Sequence, residues 1–270
     1  MSKELARQLK SLEKDEQKIL YKKENGLMKH RINPLKDKIM EKIPDKLSST
    51  LQVAFTKSFE LLYEKGDVLI EKTFKKDDRQ MEHELLNYAL DKDLNKRYIK
   101  RMDKQAGQSN LLNTSISVVE GGVLGFLGIG LPDIPLFIAV VLRNIYEIAL
   151  SYGYDNQSEE EKFYILVLIN TALAQGEDQI KLNERLDVLG SYIDEGRALK
   201  LNVKKQMEIT GGNLAEAMLV AKFIQGIPVV GTVGGVINFS IIRRISQYAG
   251  IKYKKRYLLK KIKSQGSLVD

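Results

Sequence analysis

Apolar residues recur along most of this chain with the period of an amphipathic α-helix. Leu5 and Leu12 lie between charged residues near the N-terminus and indicate a first, amphipathic helix. A second helical pattern starts at Asp45, directly after Pro44, and a third occupies residues 85–99. No segment shows the sustained apolar–polar alternation of a strand. The pattern therefore predicts an all-α, multi-helix domain.

Two glycine-rich apolar segments interrupt this polar, helix-forming background. They span residues 118–155 and 223–250, and each contains a glycine cluster, a proline and an aliphatic run. Glycine weakens a helix relative to alanine and is used where two backbones approach closely. We therefore expect both segments to form apolar helical elements packed at the centre of the domain, with amphipathic helices around them.

The second glycine-rich segment also has the length of a transmembrane helix. No charged residue occurs from 223 to 242, which is about the length that a spanning helix needs. Gln225, Pro228 and Asn238 lower its hydrophobicity, and Asp133 places a carboxylate within the first segment, where a bilayer penalises it. Three interpretations stay open: a buried helical hairpin, a peripheral or re-entrant membrane association, and true spanning helices.

Positive charge is concentrated towards the C-terminus. The 270 residues carry a net charge of +8, and the many Lys and Arg residues between 243 and 263 are accompanied by no acid. Such a run attracts an anionic membrane surface or another anionic partner, and a solvated helix face is the alternative. Its tyrosines have the spacing of a packed helix face, so nucleic acid is not the expected partner. The expected contact residues are Arg243, Arg244, Lys254, Lys255 and Arg256.

The sequence lacks the motifs that identify common enzyme classes. Cysteine is absent and only two histidines occur, which excludes a cysteine nucleophile and a histidine metal cluster. P-loop, dinucleotide-binding and nucleophile-elbow patterns are also absent. We predict no catalytic residue, no metal and no cofactor, and an enzyme is the less favoured class.

A small polar set within the glycine-rich segments is the candidate ligand site. Asp133 precedes an aliphatic run, and Asn144 and Glu147 come after it on one helix face. Asn238, on the second segment, completes the set if the two segments pack together. The alternative is a helix cap at Asp133 together with a local ion pair between Arg143 and Glu147.

The N-terminus is charged and lacks the apolar core of a secretory signal peptide, so we expect a cytoplasmic protein. The glycine-rich segments and the basic C-terminal run leave membrane association open as an addition to this localisation. For the domain organisation, we predict an amphipathic helical region over residues 1–75 and a second helical region over residues 76–270. The two regions are also compatible with one continuous domain.

The glycine-rich segments carry a family resemblance. The chain resembles the EcsC family of bacteria at residues 121–130, Asp133 with Pro135, residues 136–150, residues 152–155, and residues 227–231 with Asn238. The resemblance implies an association with an ABC transporter operon linked to secretion. It implies no established biochemical activity and no catalytic residues.

Three functions are expected from these observations. The first is a non-enzymatic accessory factor at the membrane surface, with a membrane-transport component as a partner. The second is an enzyme or binder of a lipid-like or apolar small molecule in a helical-core pocket. The third is a soluble interaction module whose basic tail binds an acidic partner.

Overall fold

The computed structural model describes residues 3–21, 41, 43–66, 70, 75–107, 133–224 and 235–266. These residues form α-helices and contain no β-strand, which confirms the all-α prediction. The helices are α1 (Lys3–Leu20), α2 (Asp45–Leu61), α3 (Lys76–Lys92), α4 (Lys96–Gly107), α5 (Asp133–Ser151), α6 (Glu159–Leu173), α7 (Gly176–Asp194), α8 (Val203–Ile224) and α9 (Gly235–Gly266). A π-helical turn, Leu62–Gly66, extends α2.

The glycine clusters themselves, within residues 118–132 and 225–234, lie outside the described residues. Their placement at the centre of the domain therefore stays a prediction. The structure does describe the helix that follows each cluster. Helix α5 follows the first cluster, and α9 follows the second.

Helix α5 is the apolar centre of the described fold. Its side chains at Ile138, Leu142, Ile145 and Tyr146 are fully buried. Helices α2, α3, α4 and α9 pack around it. Among the described helices, α5 alone is long and apolar enough to cross a membrane, over Ile134–Ser151, and 83% of that stretch is buried inside the structure. A buried central helix meets the same criterion, so the length of α5 is weak support for a membrane span.

Local sequence signals set several helix ends. Ser158 caps α6, because its side chain accepts a hydrogen bond of 3.1 Å from the backbone N–H of Glu161. The sequence predicts this cap from the Ser158–Glu161 spacing. The Glu161 carboxylate, however, is directed to Arg256 of α9.

Helices α2 and α8 pack closely at a glycine. A Cβ atom added to Gly211 of α8 would lie 2.6 Å from the Oγ1 of Thr56 and 3.0 Å from its backbone nitrogen. The same atom would lie 3.1 Å from the carbonyl oxygen of Gln52. Only a residue without a side chain permits this approach of the two backbones.

Helix α9 is the longest described helix, with 32 residues, and contacts α1, α4, α5, α6, α7 and α8. It thus joins the first described helix to those of the second half of the chain. The predicted division of the chain into a region over residues 1–75 and a region over residues 76–270 stays a prediction.

His83 on α3 packs against the turn at the C-terminal end of α5. Its Nδ1 lies 3.0 Å from the carbonyl oxygen of Ser151, so Nδ1–H is the donor. A Cβ atom on Gly153 would overlap this ring, and the φ of +79° at Gly153 also favours glycine. Burial lowers the pKa of His83, and this effect outweighs the hydrogen bond to Ser151, which raises it. The imidazole is therefore neutral near pH 7.

We expect the pKa of His83 to make the domain sensitive to mild acid. The folded-state pKa lies below the unfolded value of about 6.5, so the unfolded state binds the proton first as the pH falls. Stability should decrease below about pH 6.5, and the decrease should be smaller in His83→Gln. Thermal unfolding midpoints from pH 7.5 to pH 5 measure this. A constant difference between variant and wild type over that range would contradict the lowered pKa.

Candidate functional site: the basic helix and its cleft

Five basic residues of α9 are paired with acids on other helices that the structure describes. Their Nζ or Nη atoms lie 2.5–2.8 Å from carboxylate oxygens of five helices. The pairs are Lys252 and Lys255 with Glu16 and Asp187, Lys254 with Asp103, Arg256 with Glu161 and Asp194, and Lys261 with Asp91. Much of the positive charge of α9 is therefore balanced inside the protein.

Arg256 occupies the centre of this arrangement. Its Nη1 lies 2.8 and 3.0 Å from the two carboxylate oxygens of Glu161, and its Nη2 lies 2.7 Å from Asp194. The guanidinium also stacks on Tyr154 and Tyr164, at 4.2 and 4.3 Å from the ring centroids. Burial alone would lower the pKa of Arg256, but the two acids outweigh it and hold the pKa well above its usual value. The buried guanidinium therefore stays charged and paired.

A glycine on α7 leaves the space that Arg256 fills. A Cβ atom at Gly190 would lie 3.1 Å from the Cδ of Arg256 and 3.1 Å from the Cε2 of Tyr164. The Tyr253 hydroxyl completes the site by donating to Glu161 over 2.7 Å. This part of α9 therefore has a structural role in joining α6, α7 and α9.

Glu16 attaches α1 to α9. Its two carboxylate oxygens accept from Lys252 at 2.5 Å and from Lys255 at 2.7 Å. Asp187 of α7 accepts from the same two lysines. Lys252 is only 1% exposed. Burial lowers the pKa of Lys255, but Asp187 and Glu16 raise it by more, so its ammonium stays charged.

The expected membrane-contact residues have different environments in the structure. Lys255 and Arg256 are engaged with buried or half-buried acids of α1, α6 and α7. Arg244 donates from Nη2 to the carbonyl oxygen of Ala174 over 2.7 Å, and burial lowers its pKa. Lys254 pairs with an acid of α4. Arg243 is exposed and forms no ion pair with any residue that the structure describes.

The candidate ligand residues on α5 are engaged within the protein. The Asn144 amide donates to the carbonyl oxygen of Val140 over 2.7 Å. Glu147 is buried and accepts from Arg79 at 2.8 Å and from Arg143 at 2.9 Å. The i,i+4 pair that the sequence indicates is thus present, together with a second arginine from α3.

The other two members of that set are described only by their place in the backbone. Asp133 is the first residue of α5, and Asn238 lies in the first turn of α9; their side chains fall outside the described part. The shared pocket that the sequence indicates therefore stays a prediction.

A cleft of about 390 Å³ lies where α1, α4, α5 and α9 meet. Its apolar lining comes from one residue of each helix: Leu12, Ala106, Ile148 and Ile251. The volume falls within the range of roughly 300–1,000 Å³ that is typical of small-molecule sites. Neither Asn144 nor Glu147 lines this cleft.

Polar groups of α9 also line the cleft. They include Arg243, Ser246 and Lys254. Lys254 Nζ lies 2.8 Å from the carboxylate of Asp103, which also accepts from the Tyr152 hydroxyl at 3.0 Å. Burial and the nearby Asp103 hold the pKa of Tyr152 well above its usual value, so the phenol keeps its proton. The Ser246 hydroxyl is buried and has no hydrogen-bond partner among the described residues.

The sequence contains a partial signal for this cleft. Arg243, Gln247, Gly250 and Lys254 recur at the spacing of one helix face and all line it. The residues from α1 and α4 come from distant parts of the chain, and no local pattern joins them to α9.

These features define a class of protein: an all-helical domain with a buried apolar helix and a long basic helix that is partly neutralised by acids from its neighbours. The chain belongs to the EcsC protein family, whose profile matches residues 6–258. The match confirms the resemblance in the glycine-rich segments and extends it over most of the chain.

Two relatives come from Bacillus subtilis (strain 168). The chain is 29% identical over 178 residues to the uncharacterized protein YdbA, and this alignment spans 63% of each of the two proteins. It is 21% identical over 244 residues to protein EcsC, and that alignment covers 90% of this chain and 92% of the relative. No solved structure matches the chain.

Proposed function

We propose that this protein is a non-enzymatic accessory factor that works at the cytoplasmic surface of an anionic membrane, in support of transport or secretion. The observation that carries the proposal is the exposed face at the start of α9. Phe239 is 39% exposed there, and the exposed Arg243 lies one turn later on the same face. An exposed aromatic side chain next to a cation suits the boundary between lipid headgroups and acyl chains.

Charge pairing distinguishes this face from the central basic positions of α9. Lys254, Lys255 and Arg256 are held by acids, whereas Arg243 has no acidic partner among the described residues. The association with an ABC transporter operon that the family resemblance implies supports the link to transport. The absence of recognisable catalytic motifs from the sequence favours a non-enzymatic role.

We expect the purified protein to co-sediment at low salt with vesicles that contain phosphatidylglycerol, but not with phosphatidylcholine vesicles. Arg243→Gln should weaken this binding about fivefold, because a basic residue near an anionic surface contributes about 1 kcal/mol. Phe239→Ser should also weaken it, because the aromatic anchor is lost. High salt should lower the binding of the wild type by screening.

Two matched variants serve as controls. Arg185→Gln removes an exposed arginine from α7, and Leu85→Ser removes an exposed apolar side chain from α3. Both should bind vesicles as the wild type does. Equal binding to neutral and anionic vesicles, or wild-type binding by Arg243→Gln and Phe239→Ser, would overturn the proposal.

A second candidate function, a protein-interaction module, is favoured by one observation on α3. Met81, Leu85 and Tyr88 form an exposed apolar stripe at helical spacing, flanked by the exposed Glu82 and Glu84. The acids oppose contact with an anionic membrane. A protein partner fits this stripe better than lipid does.

A further inference from the structure

We infer that the cleft between α1, α4, α5 and α9 binds one single-chain amphiphile with an anionic headgroup. This inference rests on the proposed function, because an anionic amphiphile is a membrane component and Arg243 belongs to the face of α9 that is proposed to contact the membrane. Two ligand classes share this chemistry: alkyl carboxylates and alkyl phosphates.

The apolar side chains that line the cleft suit an alkyl chain. Leu12, Ala106, Ile148 and Ile251 supply its lining from four different helices. These side chains offer only apolar contact, which stabilises a chain of methylene groups without fixing its exact length.

The polar groups that line the cleft suit an anionic headgroup. Arg243 has no acidic partner among the described residues, and the Ser246 hydroxyl has a hydrogen bond left to donate. Lys254 adds a second cation. Asp103 also lines the cleft and would repel an anion, but Lys254 and the Tyr152 hydroxyl already engage its carboxylate. The headgroup is therefore expected at the Arg243 end.

Two glycines line the cleft. A Cβ atom at Gly107 or Gly250 would meet no atom within 4 Å, so neither glycine is required by close packing. Gly250 lies in the interior of α9, where glycine weakens a helix. The position of Gly250 beside the cleft accounts for this glycine, because any larger side chain would occupy the volume that a ligand needs.

Isothermal titration calorimetry with soluble, monomeric amphiphiles tests the inference. Decanoate and decyl phosphate are titrated below their micelle-forming concentrations, with decyltrimethylammonium and decyl maltoside as cationic and neutral controls. Binding of either anion, or of both, in preference to the two controls supports the site and identifies the headgroup class. No binding of the anions, or equal binding of the controls, overturns it.

Two variants locate the binding. Gly250→Leu fills the cleft and should abolish anion binding while the thermal unfolding midpoint stays the same or rises. Arg243→Gln should weaken binding about tenfold, because it removes the unpaired cation. Arg185→Gln, which makes the same charge change on α7, should bind as the wild type. If Gly250→Leu folds and binds normally, or if Arg243→Gln does, the ligand is not in this cleft.

Vesicle binding separates this inference from the proposed function. Gly250→Leu retains Phe239 and Arg243, so it should still co-sediment with anionic vesicles while it fails to bind the soluble amphiphile. A wild-type protein that binds the amphiphile but no vesicle would retain the cleft site and overturn the membrane role. The reverse result would retain the membrane role and overturn the cleft site.

Discussion

Arg256→Met is expected to destabilise the domain by about 3–5 kcal/mol, the usual cost of removing one partner from a buried ion pair. The substitution keeps an apolar side chain among Tyr154 and Tyr164 but leaves Glu161 and Asp194 without their shared cation. Glu161 is buried, so its charge cannot be compensated by water. Arg256→Lys should fall between wild type and Met, because lysine keeps the charge but loses the bidentate geometry and the stacking.

Urea unfolding measured by circular dichroism quantifies this effect. The control is Lys263→Met, further along the same helix, which removes an exposed pair with Glu195. Exposed pairs contribute about 0–1 kcal/mol, so the control should unfold close to the wild type. If Arg256→Met costs no more than Lys263→Met, the network around Arg256 does not stabilise the fold.

Gly211→Ala and Gly212→Ala should change stability in opposite directions. At Gly211 the new methyl group would meet Thr56 and Gln52, including backbone atoms at 3.0 and 3.1 Å, so α2 and α8 must separate. Overpacking of this kind costs about 1–3 kcal/mol. At Gly212 the nearest atom, on Gln52, is 3.5 Å away, which is ordinary van der Waals contact. There, alanine should stabilise the helix by about 0.5–1 kcal/mol.

The two variants are each other's control, because they make the same change at neighbouring positions of one helix. The difference between their free energies of unfolding in urea is the measurement. Stabilisation by both would contradict the close contact between α2 and α8 at Gly211, and destabilisation by both would contradict the ordinary van der Waals spacing at Gly212.

The local features of the fold are predictable from the sequence. Helical periodicity identifies α1 and α2, Ser158 marks the start of α6, and spacing alone indicates the pair between Arg143 and Glu147. Each of these depends on residues within a few positions of each other, so a single segment contains the information.

The partners of α9 cannot be predicted from the sequence in this way. Glu16 and Lys252 are 236 positions apart, and Arg256 and Glu161 are 95 positions apart. A run of cations without nearby acids is therefore equally compatible with a solvated face, a lipid contact and an internal network. Only the packing of the helices distinguishes a paired cation such as Arg256 from Arg243, which has no acidic partner among the described residues.

The candidate cleft is subject to the same limit. Its lining combines Leu12 of α1, Ala106 of α4 and Ile148 of α5 with a face of α9. Each of these side chains, taken alone, has the pattern of an ordinary core residue. Their grouping around an open volume depends on how the helices cross, which periodicity does not encode.

The position of α9 in the chain also affects how the protein is made. Glu16, Glu161, Asp187 and Asp194 all leave the ribosome before the cations of α9 that neutralise them. Until this last described helix emerges, the nascent chain carries carboxylates that cannot be buried without countercharge. Final assembly therefore has to await the translation of α9, a helix about 48 Å long. A chain truncated before α9 is expected to stay incompletely folded and to be degraded by proteases.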